Sequence, residues 1–199
     1  MVSFRQIVEA TTHDINRAAQ QTQHDAPEHD LKRGEYLKGN VLFQGIPLAI
    51  ENPIGSVRRG EGWETTYTNH YGYIIDSIGN DGDEIDAFLG DDKDSDYVLV
   101  VNQFEGGSFD EHKVMLGFSN RAEAEAAYYK HFDSDWPRQD AVDTNLGELQ
   151  QWLTTKEKTK PFNVYDMRLD NMDARRGGDL QDDTRTFFKD VFKGLAARK

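Results

Sequence analysis

Asp81-Gly82-Asp83-Glu84-Ile85-Asp86-Ala87-Phe88-Leu89 passes from an acidic turn into an apolar run. Asp81, Asp83 and Asp86 crowd around one glycine and one isoleucine, and Ala87-Phe88-Leu89 reads as the start of a buried strand. Carboxylates this close repel one another unless a cation sits among them. Oxygen-only donors suit a hard ion such as Mg²⁺ or Ca²⁺. A loop-to-strand junction is where a scaffold can hold such groups rigid. The same residues also read as a plain acidic turn, and composition and spacing alone leave both readings open.

Working outward, Val41-Leu42-Phe43 and Ile46 to Ile50 flank Gln44-Gly45 and read as a hairpin. Thr65 to Ile75 reads as a strand, as do Tyr97 to Phe104 and Lys113 to Phe118, the last two separated by a turn at Glu105-Gly106-Gly107-Ser108. Ser119 is the expected cap of a helix running to about His131, and Thr144 the expected cap of a second helix carrying Leu146, Leu149, Trp152 and Leu153. His24 to Arg33 is charged, contains Pro27 and reads as a linker. Residues 1–34 thus form a helical and linker extension, 35–165 the compact domain, and 166–199 a linker with an amphipathic helix at Thr186 to Ala196. Short strands followed by helices predict an α+β fold with a small barrel.

The 199 residues suffice for one domain with a core. No run is long enough to span a bilayer, the first residues lack a signal-peptide pattern, and there is no cysteine, so the chain reads as cytoplasmic without disulfides, zinc thiolate sites or cysteine nucleophiles. A net charge of −13 argues against nucleic-acid binding. It does not argue against a phosphate substrate, because bound metal ions invert the local field.

Calcium-loop readings fail. From Asp81 the fifth position is Ile85, and from Asp92 the glycine and terminal glutamate positions hold Tyr97 and Gln103. Residues 91–96 read as a solvated turn. The neighbours of the acidic run favour chemistry there. Tyr71-Gly72-Tyr73-Ile74 offers phenols, Asp110-Glu111-His112-Lys113 two acids and a lysine, and Glu51-Asn52-Pro53 with Arg58-Arg59 an acid and two guanidiniums. Acids that gather metal beside cations that grip anionic oxygen are what phosphoryl transfer requires.

The run Asp81 to Ala87 resembles the acidic signature of the soluble family I inorganic pyrophosphatases, and Tyr71 to Ile74 looks like that family's tyrosine segment. Glu51 to Gly60 and Phe109 to Phe118 are more closely similar to a compact pyrophosphatase-like domain of phage and prophage proteins, over roughly residues 36–165. The resemblance implies a five-stranded OB-like barrel with packed helices, and hydrolysis of pyrophosphate to two phosphates with several Mg²⁺ ions, or Mn²⁺. By motif position, Asp81 and Asp86 would be metal ligands, with Glu111 or Asp110 as a third. Asp83 would be the general base and also one of the metal-site acids. Lys113 would hold a phosphate oxygen, Tyr71 would bond substrate or the metal shell, Arg58 would take a cationic role with Arg59 as competitor, Glu51 would reach the metals through water, and Lys160 or Lys158 would grip the leaving phosphate. Asn102 stands where the resemblance implies an acid, which predicts weaker metal affinity on that wall.

Plainer readings accompany these. Tyr73, His70 and His112 read as packing or surface residues, and Trp63, Trp136 and Trp152 as core or lid residues. Two other functions compete. One is hydrolysis of a larger phosphoanhydride such as a nucleotide, which needs a base-stacking surface. The other is a non-catalytic module in phage assembly or host interaction, or a homo-oligomer, with 1–34 and 180–199 as contact arms.

Overall fold

The computed structural model describes residues 12–132, 140–155 and 158–165. The element order is α1 (Thr12–Gln21), α2 (Glu28–Arg33), β1 (Gly39–Phe43), β2 (Ile46–Asn52), β3 (Val57–Gly60), β4 (Trp63–Thr66), β5 (His70–Ile78), β6 (Glu84–Leu89), β7 (Tyr97–Glu105), β8 (Ser108–Leu116), α3 (Arg121–Tyr129), β9 (Asp140–Asn145) and α4 (Leu146–Thr154). Trp136 and the helix expected at 186–196 lie outside the described residues.

Seven strands form one sheet in the order β1-β2-β5-β6-β8-β7-β9, and β3 and β4 form a separate two-stranded ribbon. The α+β expectation holds. The pairing order is open, with β1 and β9 as its edges among the described residues, and it has seven strands where the resemblance implied a barrel of five. Every pair is antiparallel except β6 with β8. That parallel pair sets Asp86 beside Lys113, 27 residues apart in the chain.

Both faces of the sheet are covered. On one, Leu48, Ile50, Ile74, Val100, Val114 and Leu116 join Ile15 and Ala18 of α1 and Leu149, Trp152 and Leu153 of α4. On the other, Tyr71, Phe88, Leu99 and Met115 pack against Ala124, Ala127 and Tyr128 of α3. Burying a side chain such as Leu149 stabilises the fold by about 1.5–3 kcal/mol. Helix α1 is tied to this unit by polar contacts too: the Thr22 hydroxyl donates to the Ile50 carbonyl at 2.9 Å and accepts the Gly39 N–H at 3.0 Å.

Several local expectations shift. The hairpin at Gln44-Gly45 forms as read, with Phe43 opposite Ile46. The strand expected over Thr65 to Ile75 is broken between β4 and β5. The linker around Pro27 contains α2, with Pro27 at its cap and Gly34 ending it. The helix caps fall one residue later than read: Asn120 and Asn145 accept the N–H groups of Glu123 and Glu148 at 3.1 and 3.0 Å, as an asparagine before a helix does. Gly72 is required by packing, since a Cβ there would stand 1.8 Å from the Ala49 carbonyl of the neighbouring strand.

Candidate functional site

The acidic loop is pinned at both ends. Gly79 N–H donates to the Asp83 carbonyl at 2.8 Å, and Ile85 N–H donates to the buried Ser77 hydroxyl at 3.0 Å. Between them, Asp81 accepts the Asp83 N–H at 3.1 Å, and Gly82 takes a φ of 93°, which a side chain would strain. Asp81 and Asp83 are exposed at the tip, while Asp86, already in β6, is partly buried on the sheet face that carries Tyr71, Phe88 and Lys113.

Lys113 is the centre of the site. Its side chain is 7 % exposed, and its ammonium bonds the Asp86 carboxylate, the Glu111 carboxylate at 2.6 Å and the Tyr71 hydroxyl at 3.5 Å. A bulge in β8 sets two residues, Asp110 and Glu111, opposite the single Gln103 of β7, which re-aims the local side chains. Burial raises the Glu111 carboxyl to about 7, with Lys113 opposing and the Asp86 charge adding to the shift. Burial against the Asp86 charge holds the Tyr71 phenol well above its usual range, so it is a neutral donor. Lys113 stays charged: burial disfavours its cation, but Asp86 and Glu111 more than offset that. Two carboxyl groups gathered on one buried ammonium, one of them raised to about 7, are costly to hold, which makes this point a candidate ligand site.

The other expected residues are distributed around this centre. Glu51 lies near enough for the Asp86 charge to raise its carboxyl further above the effect of burial, and Lys38 stands 3.6 Å away. Arg58 bonds the Tyr67 hydroxyl, and Tyr67 packs on Tyr71 at 5.2 Å. Arg59 points elsewhere and pairs with Glu64 at 2.6 Å, so of the two arginines Arg58 faces the site. Asp110 is at the bulge, its carbonyl bonded by Asn80. The main chain of Lys160 is held on the opposite face of β8, where its carbonyl accepts from His112 at 3.0 Å.

Asn102 is corrected outright. It pairs with His112 and shares that opposite face. Its side chain is fully buried, accepts the Phe162 N–H at 2.8 Å and donates to the Phe162 carbonyl at 3.2 Å and to Asp140 at 3.0 Å. It clamps the chain after α4 and forms no wall of the acid cluster. His112 is likewise a packing residue, between Phe109 and Trp152.

Of the expected metal ligands, Asp86 and Glu111 meet and Asp81 does not join them. Among the described residues no three of His, Asp and Glu stand close enough to enclose an ion. The donors still fit a hard cation. They are carboxylate and phenol oxygens, and an ammonium already lies between two of them, where positive charge is needed. Sequence reasoning missed Tyr67 and Lys38. Tyr67 falls in phase with Tyr71 and Tyr73 at alternate positions, a signal that was present; nothing local marked Lys38.

The model of the family described as Inorganic Pyrophosphatase matches residues 28–154, from α2 through the end of α4. The chain matches no curated protein and no solved structure.

Proposed function

Because the chain belongs to the inorganic pyrophosphatase family, we propose that it hydrolyses inorganic pyrophosphate to two phosphates with Mg²⁺, at the site centred on Lys113. The observation that carries this reading is the convergence of Asp86, Glu111, Lys113 and Tyr71 from three strands on one partly buried point. Asp86 and Glu111 would hold Mg²⁺, with Asp81 and Asp110 approaching from the loop and the bulge, and Mn²⁺ is an acceptable substitute. When bound, the ion supplies charge neutralisation at the phosphate oxygens and a more acidic water. Lys113 and Arg58 bind the anionic oxygens of pyrophosphate, and Tyr71 donates a hydrogen bond to orient them. Glu51 supports the cation from the β2 side. Asp83, exposed at the loop tip, accepts the proton of the water that adds to phosphorus as the bridging P–O bond breaks.

Two side-chain contacts that link the β1 hairpin to Ser95 and to α4 support the finer barrel reading. Gln44 beside edge strand β1 bonds the Ser95 carbonyl before β7, and Gln150 of α4 donates back to Gln44 at 3.0 Å. We place catalysis in residues 35–165 and, from the phage-like motifs, the setting in a bacterial or phage-infected cytoplasm. No helix among the described residues is long and apolar enough to cross a membrane.

Phosphate release from pyrophosphate with Mg²⁺ tests the proposal. Wild type should turn over, and Asp83→Asn should lose about 10²-fold or more with folding intact. Release from nucleotides alone would favour the larger phosphoanhydride as substrate, and no release from either with Mg²⁺ or Mn²⁺ would leave the non-catalytic module as the reading.

A further inference from the structure

Pyrophosphate presents only anionic oxygens, yet the cavity that adjoins Lys113 and Arg58 is walled by aromatic rings. It has a volume of about 320 Å³, within the range of small-molecule sites. Tyr67, Tyr71, Phe88 and His131 form a closed circuit of ring contacts: 5.2 Å from Tyr67 to Tyr71, 4.7 Å on to Phe88, 4.8 Å on to His131 and 5.2 Å back to Tyr67. Phe132 and Trp63 complete the aromatic part of the lining.

The cavity is polarised. Its two cations lie at the phenol ends of the wall: Arg58 bonds the Tyr67 hydroxyl, and Lys113 stands 3.5 Å from the Tyr71 hydroxyl. At the mouth is Trp63, on the β3–β4 ribbon. Trp63 is 47 % exposed, and its indole lies against Gly60, where a Cβ would meet it at 2.3 Å, so the ring is held against backbone while the residue stays open to solvent. Glu64 and Thr65 border the same opening and supply an acceptor and a hydroxyl. His131 offers only its ring. One nitrogen is committed to the Ala127 carbonyl at 2.7 Å, the other accepts the Thr68 N–H at 3.0 Å, and burial keeps it neutral.

Resting on the pyrophosphatase reading above, we propose that this cavity is a ring subsite and that the site takes a nucleoside diphosphate: the phosphates lie at Lys113 and Arg58 and the base stacks against Trp63. Every nucleobase has a π-face that an exposed indole can stack, and the polar groups at the mouth meet the edge of the base. A ligand with only phosphate oxygens leaves Trp63 open and the cavity to water.

The test compares two non-hydrolysable ligands on the full chain with Mg²⁺, by calorimetry: methylenediphosphonate, and adenosine α,β-methylene diphosphate, which adds the nucleoside. The ring-bearing ligand should bind about tenfold tighter, and Trp63→Ala should shrink that ratio several-fold. Equal affinities, a ratio that Trp63→Ala leaves unchanged, or failure of both ligands to bind would overturn the ring subsite. Pyrophosphate turnover in the same preparation separates the two claims. Intact turnover with a ratio of one defeats the subsite alone, and a high ratio without turnover supports the subsite and defeats the pyrophosphatase reading.

Discussion

Replacing Asn102 by aspartate exchanges an amide for a carboxylate in a fully buried clamp, and it is expected to cost about 3–5 kcal/mol at pH 8. The Phe162 N–H keeps its acceptor, now at 2.8 Å from a carboxylate oxygen. Both donations are lost: the Phe162 carbonyl, 3.2 Å away, faces an acceptor, and so does Asp140, 3.0 Å away. A buried carbonyl left unpaired costs about 1–3 kcal/mol. Asp140 is exposed and turns to water at small cost. Desolvation of the new charge in this buried position supplies the remainder. The cost depends on pH. Burial raises the introduced carboxyl above its unfolded value, and its protonated form can donate to the Phe162 carbonyl. The variant is therefore least destabilised near pH 4 and most destabilised above the raised value. Urea unfolding in EDTA at pH 5 and pH 8 measures this as a drop in midpoint that is larger at pH 8. An unchanged midpoint at pH 8, together with tighter Mg²⁺ binding, would refute the reasoning and return residue 102 to the metal wall.

Lys113→Met leaves Asp86 and Glu111 facing each other without their cation, and should destabilise the metal-free protein by about 3–5 kcal/mol. Mg²⁺ should then raise the melting temperature of this variant more than that of wild type; an equal or smaller rise would count against those carboxylates as ligands. Asp86→Ala should weaken the Mg²⁺ dependence of turnover far more than Asp92→Ala, whose carboxylate instead accepts the Asp94 N–H in a turn; equal effects would move the ions away from β6. His112 is held neutral by burial, its value pushed from 6.5 down to about 4, and its Nδ1 has no partner among the described residues. Stability is therefore fully present above pH 6.5 and falls by up to about 3 kcal/mol as pH drops toward 4. His112→Gln, which keeps a donor for the Lys160 carbonyl, should flatten that acid limb in a pH series of thermal melts, and an unaltered limb would assign it elsewhere.

What the sequence conveyed was chemistry carried by short segments. The acidic loop entering a strand at Ile85, the hairpin at Gln44-Gly45 and the turn at Gly106-Gly107 each announce themselves through residues adjacent in the chain. Arg58 and Arg59 competed for one role in the sequence, and the strand β3, whose alternate residues face opposite ways, is what separates them. Asn102 was misplaced for a definite reason. Val98 to Gln103 is buried on both faces of its strand, so no alternation of apolar and polar residues shows which way residue 102 points. Only the pairing with β8, and the bulge that sets Asp110 and Glu111 against Gln103, fixes the face. The packing of α1 was hidden similarly: Ile15, Ala18 and Ala19 are weak anchors in a polar stretch, and they become core only once β1 and β2 are folded beneath them. The meeting of Asp86 with Lys113 depends on a parallel pairing that skips over β7, and no local pattern encodes such a pairing.

A crystal structure with Mg²⁺ and imidodiphosphate, a pyrophosphate analogue with a nitrogen bridge, tests the central claim most directly. The account predicts an ion bound by Asp86 and Glu111, with the Lys113 ammonium moved from those carboxylates onto a phosphate oxygen and Arg58 on the same ligand. An ion seated at the Asp91–Asp96 turn, or a ligand bound away from Lys113 while Lys113 keeps its bonds to Asp86 and Glu111, would contradict it.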